Sequence, residues 1–375
     1  MERMSPSNIE VRRSVRCPVT GSEGQRLRCR EGAELAASYR RHFGHALPTG
    51  IVETYFQDEI QEYTSPESDL RWFSPAPIAG EEFYQLMAAT YPWYYTASTW
   101  DKHYACRILR DLGVRTFIEA GCGDGIFLEM AAAIGVSGKG IDTNTKALET
   151  ATAKGLIVGL PDSPKVRLKN PDALVMLQVL EHVPEPLEFV RHYVTEFQPK
   201  RLIIAVPSHE TLLAHVTDPL AWPPHHVTMW SRKAFECLGA KLGYSLNHVA
   251  YPPMTYQRLV QLFNNEEGDS TPLGNLRGRA QFGELDPGKA IDPAARFIRR
   301  VGSWDARLRE QGREDVVAKF VKKVYRQVLR PLDEPEDTEA IGPSLGRIKW
   351  GYHCLRGRAW ARRDFWMLVV LDRCD

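Results

Sequence analysis

The sequence predicts an α/β fold, with a mostly parallel β-sheet covered by helices on both faces. Three observations predict it. Arg115 to Lys146 reads as strand, glycine loop, helix, strand. Asp172 to Leu180 is an apolar run whose one polar break is Gln178, the pattern of a strand buried on both faces. Short strand-like runs alternate with helical patterns from Thr116 to Tyr251, as in a chain of β-α-β units.

The elements follow in order. Thr116, Phe117 and Ile118 form a β-branched and aromatic first strand. Gly121, Cys122, Gly123, Asp124 and Gly125 make the turn, and Ile126 to Ile134 is an apolar, alanine-rich helix. Gly138 to Ile141 is the second strand, ending in Asp142. A helix then starts at an N-cap on Asn144 or Thr145 and stops at Gly155. Leu156 to Val158 is the third strand and Asp172 to Leu180 the fourth. The fourth runs into Glu181-His182-Val183-Pro184, and Glu185-Pro186 opens the next helix. Lys200 to Val206 is the fifth strand. Ser231 caps a helix that Gly243 stops, and Ser245 to Tyr251 is the sixth strand.

Outside this pattern the chain changes character. Residues 1 to 16 are polar and basic, and residues 49 to 80 are turn-rich and polar. Tyr91, Trp93, Tyr94, Tyr95 and Trp100 crowd the segment before the first strand, where Ala105, Leu109 and Leu112 fall at helical spacing. That segment is either a helix anchored on the sheet or a lid. Residues 264 to 295 are rich in glycine, proline and asparagine. Residues 313 to 330 form an amphipathic helix, suited to packing on the core or to a homodimer contact.

Composition narrows the classes. The chain has 375 residues, of which 43% are hydrophobic, enough for one large domain with additions or for two domains. Its formal net charge of +1 offers no global attraction for nucleic acid. No apolar run reaches the roughly 18 residues of a membrane span, and the N-terminus does not read as a signal peptide. The 7 cysteines are scattered and odd in number, which suits a reducing, cytoplasmic setting.

The chemistry concentrates on the glycine turn. Glycines there permit positive φ and close approach to a ligand, and the helix start offers free N–H groups. Asp142, at the end of the second strand, is placed to accept hydrogen bonds from ribose hydroxyls. A nucleoside-bearing cofactor follows. Ile126 stands where a dinucleotide-binding G-x-G-x-x-G loop has its third glycine. A pyrophosphate would also sit poorly beside Glu119 and Asp124, whereas a cation would not. Trp222-Pro223-Pro224-His225-His226-Val227 forms a proline-stiffened loop after the fifth strand. A histidine near its ordinary pKa can remove a proton at neutral pH.

The strings E-A-G-C-G-D-G (119–125), G-I-D-T-N (140–144), Q-V-L-E-H-V (178–183) and P-P-H-H-V-T-x-W-S (223–231) resemble class I S-adenosylmethionine (SAM) dependent methyltransferases. The resemblance is to the branch that includes ubiquinone-type O-methyltransferases and many bacterial proteins of unknown substrate. It implies a Rossmann-like seven-stranded sheet whose seventh strand is antiparallel, and Asp364 to Arg373 supplies that strand at the C-terminus. Residues 1–80 are then an N-terminal extension, 81–254 the core with an aromatic lid helix, 255–363 a mostly helical insertion, and 364–375 the closing strand.

The resemblance further implies SAM as cofactor and methyl transfer, at oxygen, to a small-molecule or glycan acceptor. Glu119, Gly121, Cys122, Gly123, Asp124, Gly125, Asp142, Thr143 and Gln178 would hold the cofactor. His225, His226 and His182 are the candidate bases. Related proteins begin with C-P-x-C-G-S and a zinc ribbon, but Thr20 replaces the second cysteine after Cys17, so no metal is expected. Two rivals stay open, an NAD-linked oxidoreductase and a non-catalytic SAM-fold scaffold.

Overall fold

A computed structural model describes residues 16–43, 47–90, 99–211, 219–252 and 366–374. The expected 255–363 insertion, with its 313–330 helix, and the aromatics at 91–95 lie outside them.

The first strand of the main sheet, β4 (Thr116–Ala120), is followed by β5 (Ser137–Ile141), β6 (Val158–Gly159), β7 (Ala173–Leu177), β8 (Arg201–Pro207), β10 (Tyr244–Ala250) and β11 (Trp366–Arg373). The strand order across this seven-stranded sheet is β10-β11-β8-β7-β4-β5-β6. The five strands from β8 to β6 are parallel, and β11 is antiparallel to both of its neighbours. The order in which strands are added therefore reverses between β4 and β7: β5 and β6 lie to one side, β8 and those beyond it to the other. Ligands in such sheets bind beyond the strand carboxyl ends at this switch point.

The helices α4 (Trp100–Asp111), α5 (Ile126–Ala133), α6 (Thr145–Ala153), α7 (Pro186–Phe197) and α8 (Arg232–Leu242) flank the strands. Two apolar clusters line the two faces of the sheet. One contains Ile118, Leu174, Met176, Ile204 and Val369, and the other Phe117, Val175, Ile203, Ala205 and Leu368. The caps are where the sequence places them. The Asn144 side chain accepts from the Ala147 N–H at 3.1 Å and Ser231 from the Ala234 N–H at 3.2 Å. Gly243 ends α8 at φ 78°. Leu112 departs from expectation. It follows the end of α4 and is 39% exposed, while Ala105, Ile108 and Leu109 carry the buried face. The third strand is only two residues long, Val158–Gly159.

A second sheet precedes the first in sequence. Strands β1 (Gln25–Arg30), β2 (Ile60–Thr64), β3 (Arg71–Ser74) and β9 (Thr228–Met229) pair in the order β1-β2-β3-β9. So the stretch 49–80 is more regular than its polar, turn-rich composition suggests. It holds a helix, α2 (Thr49–Tyr55), and two of these strands. Helices α1 (Gly32–Phe43) and α3 (Glu81–Thr90) complete a separate core with Leu35, Tyr39, Phe73, Phe83 and Met87. Trp222 lies in that core, so the loop after β8 is built into the N-terminal unit.

The turn at Cys17–Thr20 meets a second turn at Ser65–Ser68. The Cys17 thiol lies 3.3 Å from the Ser68 hydroxyl, and the Ser22 hydroxyl lies 2.9 Å from that of Ser65. Two turns of matching spacing are thus joined by hydroxyl and thiol hydrogen bonds, where a ribbon of four thiolates would be joined by zinc.

Candidate active site

Glycines build the floor of the site. Gly121, Gly123 and Gly125 have φ of 79°, 53° and 82°, a region that side chains rarely adopt. A Cβ on Gly121 would meet Val179 at 2.4 Å, and one on Gly125 would meet Leu156 at 2.3 Å. A Cβ on Gly123 would meet nothing within 4 Å, so this is the glycine that faces open space. The loop is held to the second strand by Gly121 N–H and Cys122 N–H, which donate to Ile141 O at 2.8 and 3.1 Å. The Cys122 side chain turns away into the core. Its Sγ would be 2.6 Å from a Cβ on Gly140, and burial raises its pKa. Any contact it makes with a ligand in the loop is through its backbone.

Asp142 organises the turn. Its Oδ2 accepts from Gly123 N–H at 2.8 Å and its Oδ1 from Asn144 N–H at 2.8 Å. Each oxygen retains a lone pair for a hydroxyl. Thr143, beside it, is exposed. Asp124 lies 3.5 Å from the Lys154 Nζ, which partly balances it.

Glu119 sits beneath the loop at 3% exposure, and its Oε2 has no hydrogen-bond partner. Burial pushes its pKa well up; Lys102 opposes this, and Asp142, Asp101 and Asp124 reinforce it. Asp101 is the acid that sequence reasoning missed. It is fully buried on α4, and Gln178 Nε2 approaches its Oδ2 at 3.5 Å. Its position in the first turn of the helix after the aromatic segment was the available signal. Gln178 itself is held at φ 57° at the end of β7, a strained conformation that concentrates at functional sites.

The expected cofactor fits this cradle. Glu119 is a buried acid without a full set of partners, and Asp101 and Asp142 lie close by. Such an environment is stabilised by a bound cation, and SAM carries two, the sulfonium and the α-amino group. Gly123 leaves the loop open, and Asp142 has acceptor capacity for ribose hydroxyls.

The histidines gather on the neighbouring edge. Val227 N–H donates to Glu181 O at 2.7 Å, and Thr228 Oγ1 donates to Leu180 O at 3.0 Å, stitching the loop after β8 to the end of β7. This brings His182, His225 and His226 together, with one nitrogen from each within 4.8 Å of the others. His182 Nδ1 lies 2.5 Å from His225 O, and His225 Nδ1 lies 2.9 Å from Leu220 O. A carbonyl can only accept, so both Nδ1 atoms carry the proton and both Nε2 atoms the lone pair. Burial lowers the pKa of His182 to about 4 and that of His226 well below its ordinary value, so both rings are neutral at pH 7. Tyr84 of α3, another residue the sequence did not single out, reaches His182 Nδ1 at 3.2 Å. The N-terminal unit thus contacts the histidine cluster through Tyr84.

The comparisons agree with this geometry. Residues 97–255 match a family described as a methyltransferase domain. The ubiquinone biosynthesis O-methyltransferase of Nitrosomonas europaea is 35% identical over 98 residues, 24% of this chain and 42% of that protein. The Colwellia psychrerythraea protein of the same name is 33% identical over 95 residues, 23% of this chain and 39% of that protein. The chain thus spans about two fifths of the length of these curated relatives. A solved SAM-dependent methyltransferase from Archaeoglobus fulgidus overlies 78% of this chain and all of its own, at 14% identity and a TM-score of 0.38, too loosely to bear on substrate. The glycine turn, the acidic cradle and every strand of the main sheet but β11 fall within residues 97–255, the stretch that matches the methyltransferase-domain family.

Proposed function

We propose that the protein transfers the methyl group of SAM to an oxygen of a small-molecule or glycan acceptor. The observation that carries this reading is the adjacency of two half-sites on one sheet edge. A cation-seeking cradle formed by Glu119, Asp101 and Asp142 reaches Gln178 at the end of β7, and the imidazoles of His182, His225 and His226 gather just beyond that strand end. In this reading Gly121, Gly123 and Gly125 shape the cofactor turn, with backbone contacts from Cys122 and Asp124. Asp142 holds the ribose, Thr143 flanks it, Glu119 balances the cofactor's positive charge, and Gln178 lines the methyl-transfer face.

The reaction is an in-line displacement. An acceptor-oxygen lone pair forms the new C–O bond. The S–CH3 bond breaks with its electrons moving to sulfur, leaving S-adenosylhomocysteine, and the acceptor proton passes to an imidazole lone pair. The sulfonium is already activated, so holding the oxygen and methyl carbon about 3 Å apart and in line is the main contribution of the protein. The ubiquinone-type relatives act on an oxygen according to their name, which supports oxygen as the acceptor atom.

A SAM-turnover screen over phenols and glycans tests this reading, with S-adenosylhomocysteine release as the signal. Release that depends on one acceptor class is expected, and binding of SAM without turnover on any acceptor would instead favour a scaffold. His225→Ala and His226→Ala are each expected to lower turnover by about 10²-fold or more, with SAM affinity within about twofold of wild type. Normal turnover in both would remove these histidines from the acceptor chemistry.

A further inference from the structure

The histidine cluster has the chemistry of a metal site. Three imidazoles from two separate segments converge, with one nitrogen of each within 4.8 Å of the others. Metal-bound imidazoles about 2.0–2.1 Å from zinc lie roughly 3.3 Å apart, so closing on an ion needs movements of about an ångström. Two of the rings already have their tautomer fixed. A metal-ligating histidine characteristically donates its other N–H to a carbonyl or carboxylate, which fixes its tautomer. His182 does so to His225 O and His225 to Leu220 O, leaving Nε2 on each as the lone-pair nitrogen.

A second observation is independent of the cluster. Glu181 is fully buried, and neither of its carboxylate oxygens has a hydrogen-bond partner. Its Oε1 lies 3.9 Å from His182 Nε2. His226 is 5% exposed, and its Nδ1 is also buried without a hydrogen-bond partner. A buried carboxylate with both oxygens unmatched is costly unless something positive satisfies it. A divalent cation held by the three imidazole nitrogens would give these buried oxygens a partner.

We propose that His182, His225, His226 and Glu181 bind a divalent transition-metal ion. Three nitrogens and one carboxylate oxygen suit zinc, iron or cobalt rather than magnesium or calcium, which take oxygen ligands. The site explains why a proline-stiffened double histidine is sewn by backbone hydrogen bonds to a Glu-His pair at the end of β7. The donor set stands whatever the acceptor is, but an ion bound there takes up the imidazole lone pairs, so none of the three rings then serves as the proton acceptor of the proposed function. If an acceptor oxygen reaches the ion, it binds as an additional ligand beside the cofactor.

The test uses the full chain, free of any histidine tag and stripped with a chelator. Co2+ is titrated while visible ligand-field absorption is followed, and Zn2+ binding is measured by calorimetry. SAM binding is read on the same samples. Saturation near one equivalent of metal is expected. His226→Ala and the near-isosteric Glu181→Gln should each weaken Co2+ binding by about tenfold or more, and retained SAM affinity would show that the fold survives. Absence of ligand-field bands and of Zn2+ heat in the wild type overturns the proposal, as does unchanged affinity in both variants. Loss of SAM binding with metal binding intact would count against the methyl-transfer reading and leave the metal site standing.

Discussion

Deleting residues 364–375 is expected to leave the chain unfolded or insoluble. Those residues contain β11, which is threaded between β8 and β10, not added to an edge. Met367, Leu368, Val369 and Leu371 are fully buried and Val370 nearly so. Burying five side chains of this size is worth about 7–15 kcal/mol in total, at roughly 1.5–3 kcal/mol each. That rivals the whole stability of a typical domain, about 5–15 kcal/mol. The deletion would also strip backbone partners from both neighbouring strands. Soluble yield, circular dichroism and SAM binding of the truncated chain check this. A soluble truncation that binds SAM would mean the sheet closes without β11.

The second large effect is expected at Asp142. Replacing it with alanine removes the ribose acceptor and also the two backbone hydrogen bonds that shape the turn, from Gly123 and Asn144. Hydrogen bonds to a charged group contribute about 1.5–3 kcal/mol each. A loss of tenfold or more in SAM affinity, about 1.4 kcal/mol, is therefore a lower bound for Asp142→Ala by calorimetry. Asp142→Asn keeps one acceptor oxygen and should fall between the variant and wild type. Unchanged affinity in Asp142→Ala would remove this residue from the cofactor site.

The main sheet was legible because its signals are local. A β-branched run, a glycine turn and an apolar helix lie within about thirty residues, and each buried strand announces itself by continuous hydrophobicity. β11 was legible for the same reason, with the resemblance to seven-stranded enzymes supplying its partner. The smaller sheet was not. Its strand Gln25–Arg30 carries three arginines, and its last strand, Thr228–Met229, is only two residues long and comes from far along the chain. A two-residue strand defined by pairing with Arg71 and Trp72 has no periodicity of its own.

The site divides along the same line. Glu119, Asp142 and the glycines were readable because the cofactor turn is a contiguous motif. His182, His225 and His226 were each visible as reactive residue types, but their meeting was not. It depends on Val227 binding the Glu181 carbonyl and on Trp222 being anchored in the N-terminal core, where Tyr39 Oη donates to Trp222 O at 3.0 Å. Both are long-range contacts. A sequence reading without them saw candidate bases and expected no metal. Asp101 and Tyr84 were missed because an acid and a phenol on helices look like ordinary surface residues until the fold turns them inward.

Among the described residues no helix is long and apolar enough to cross a membrane. One calorimetric comparison tests whether the cradle at Glu119, Gly123 and Asp142 holds a sulfur nucleoside. The full chain is titrated with SAM, with S-adenosylhomocysteine and with NADH under the same conditions. Saturable binding of the first two near one equivalent per chain is expected, with no heat from NADH. Binding of NADH with silence toward both sulfur nucleosides would contradict it.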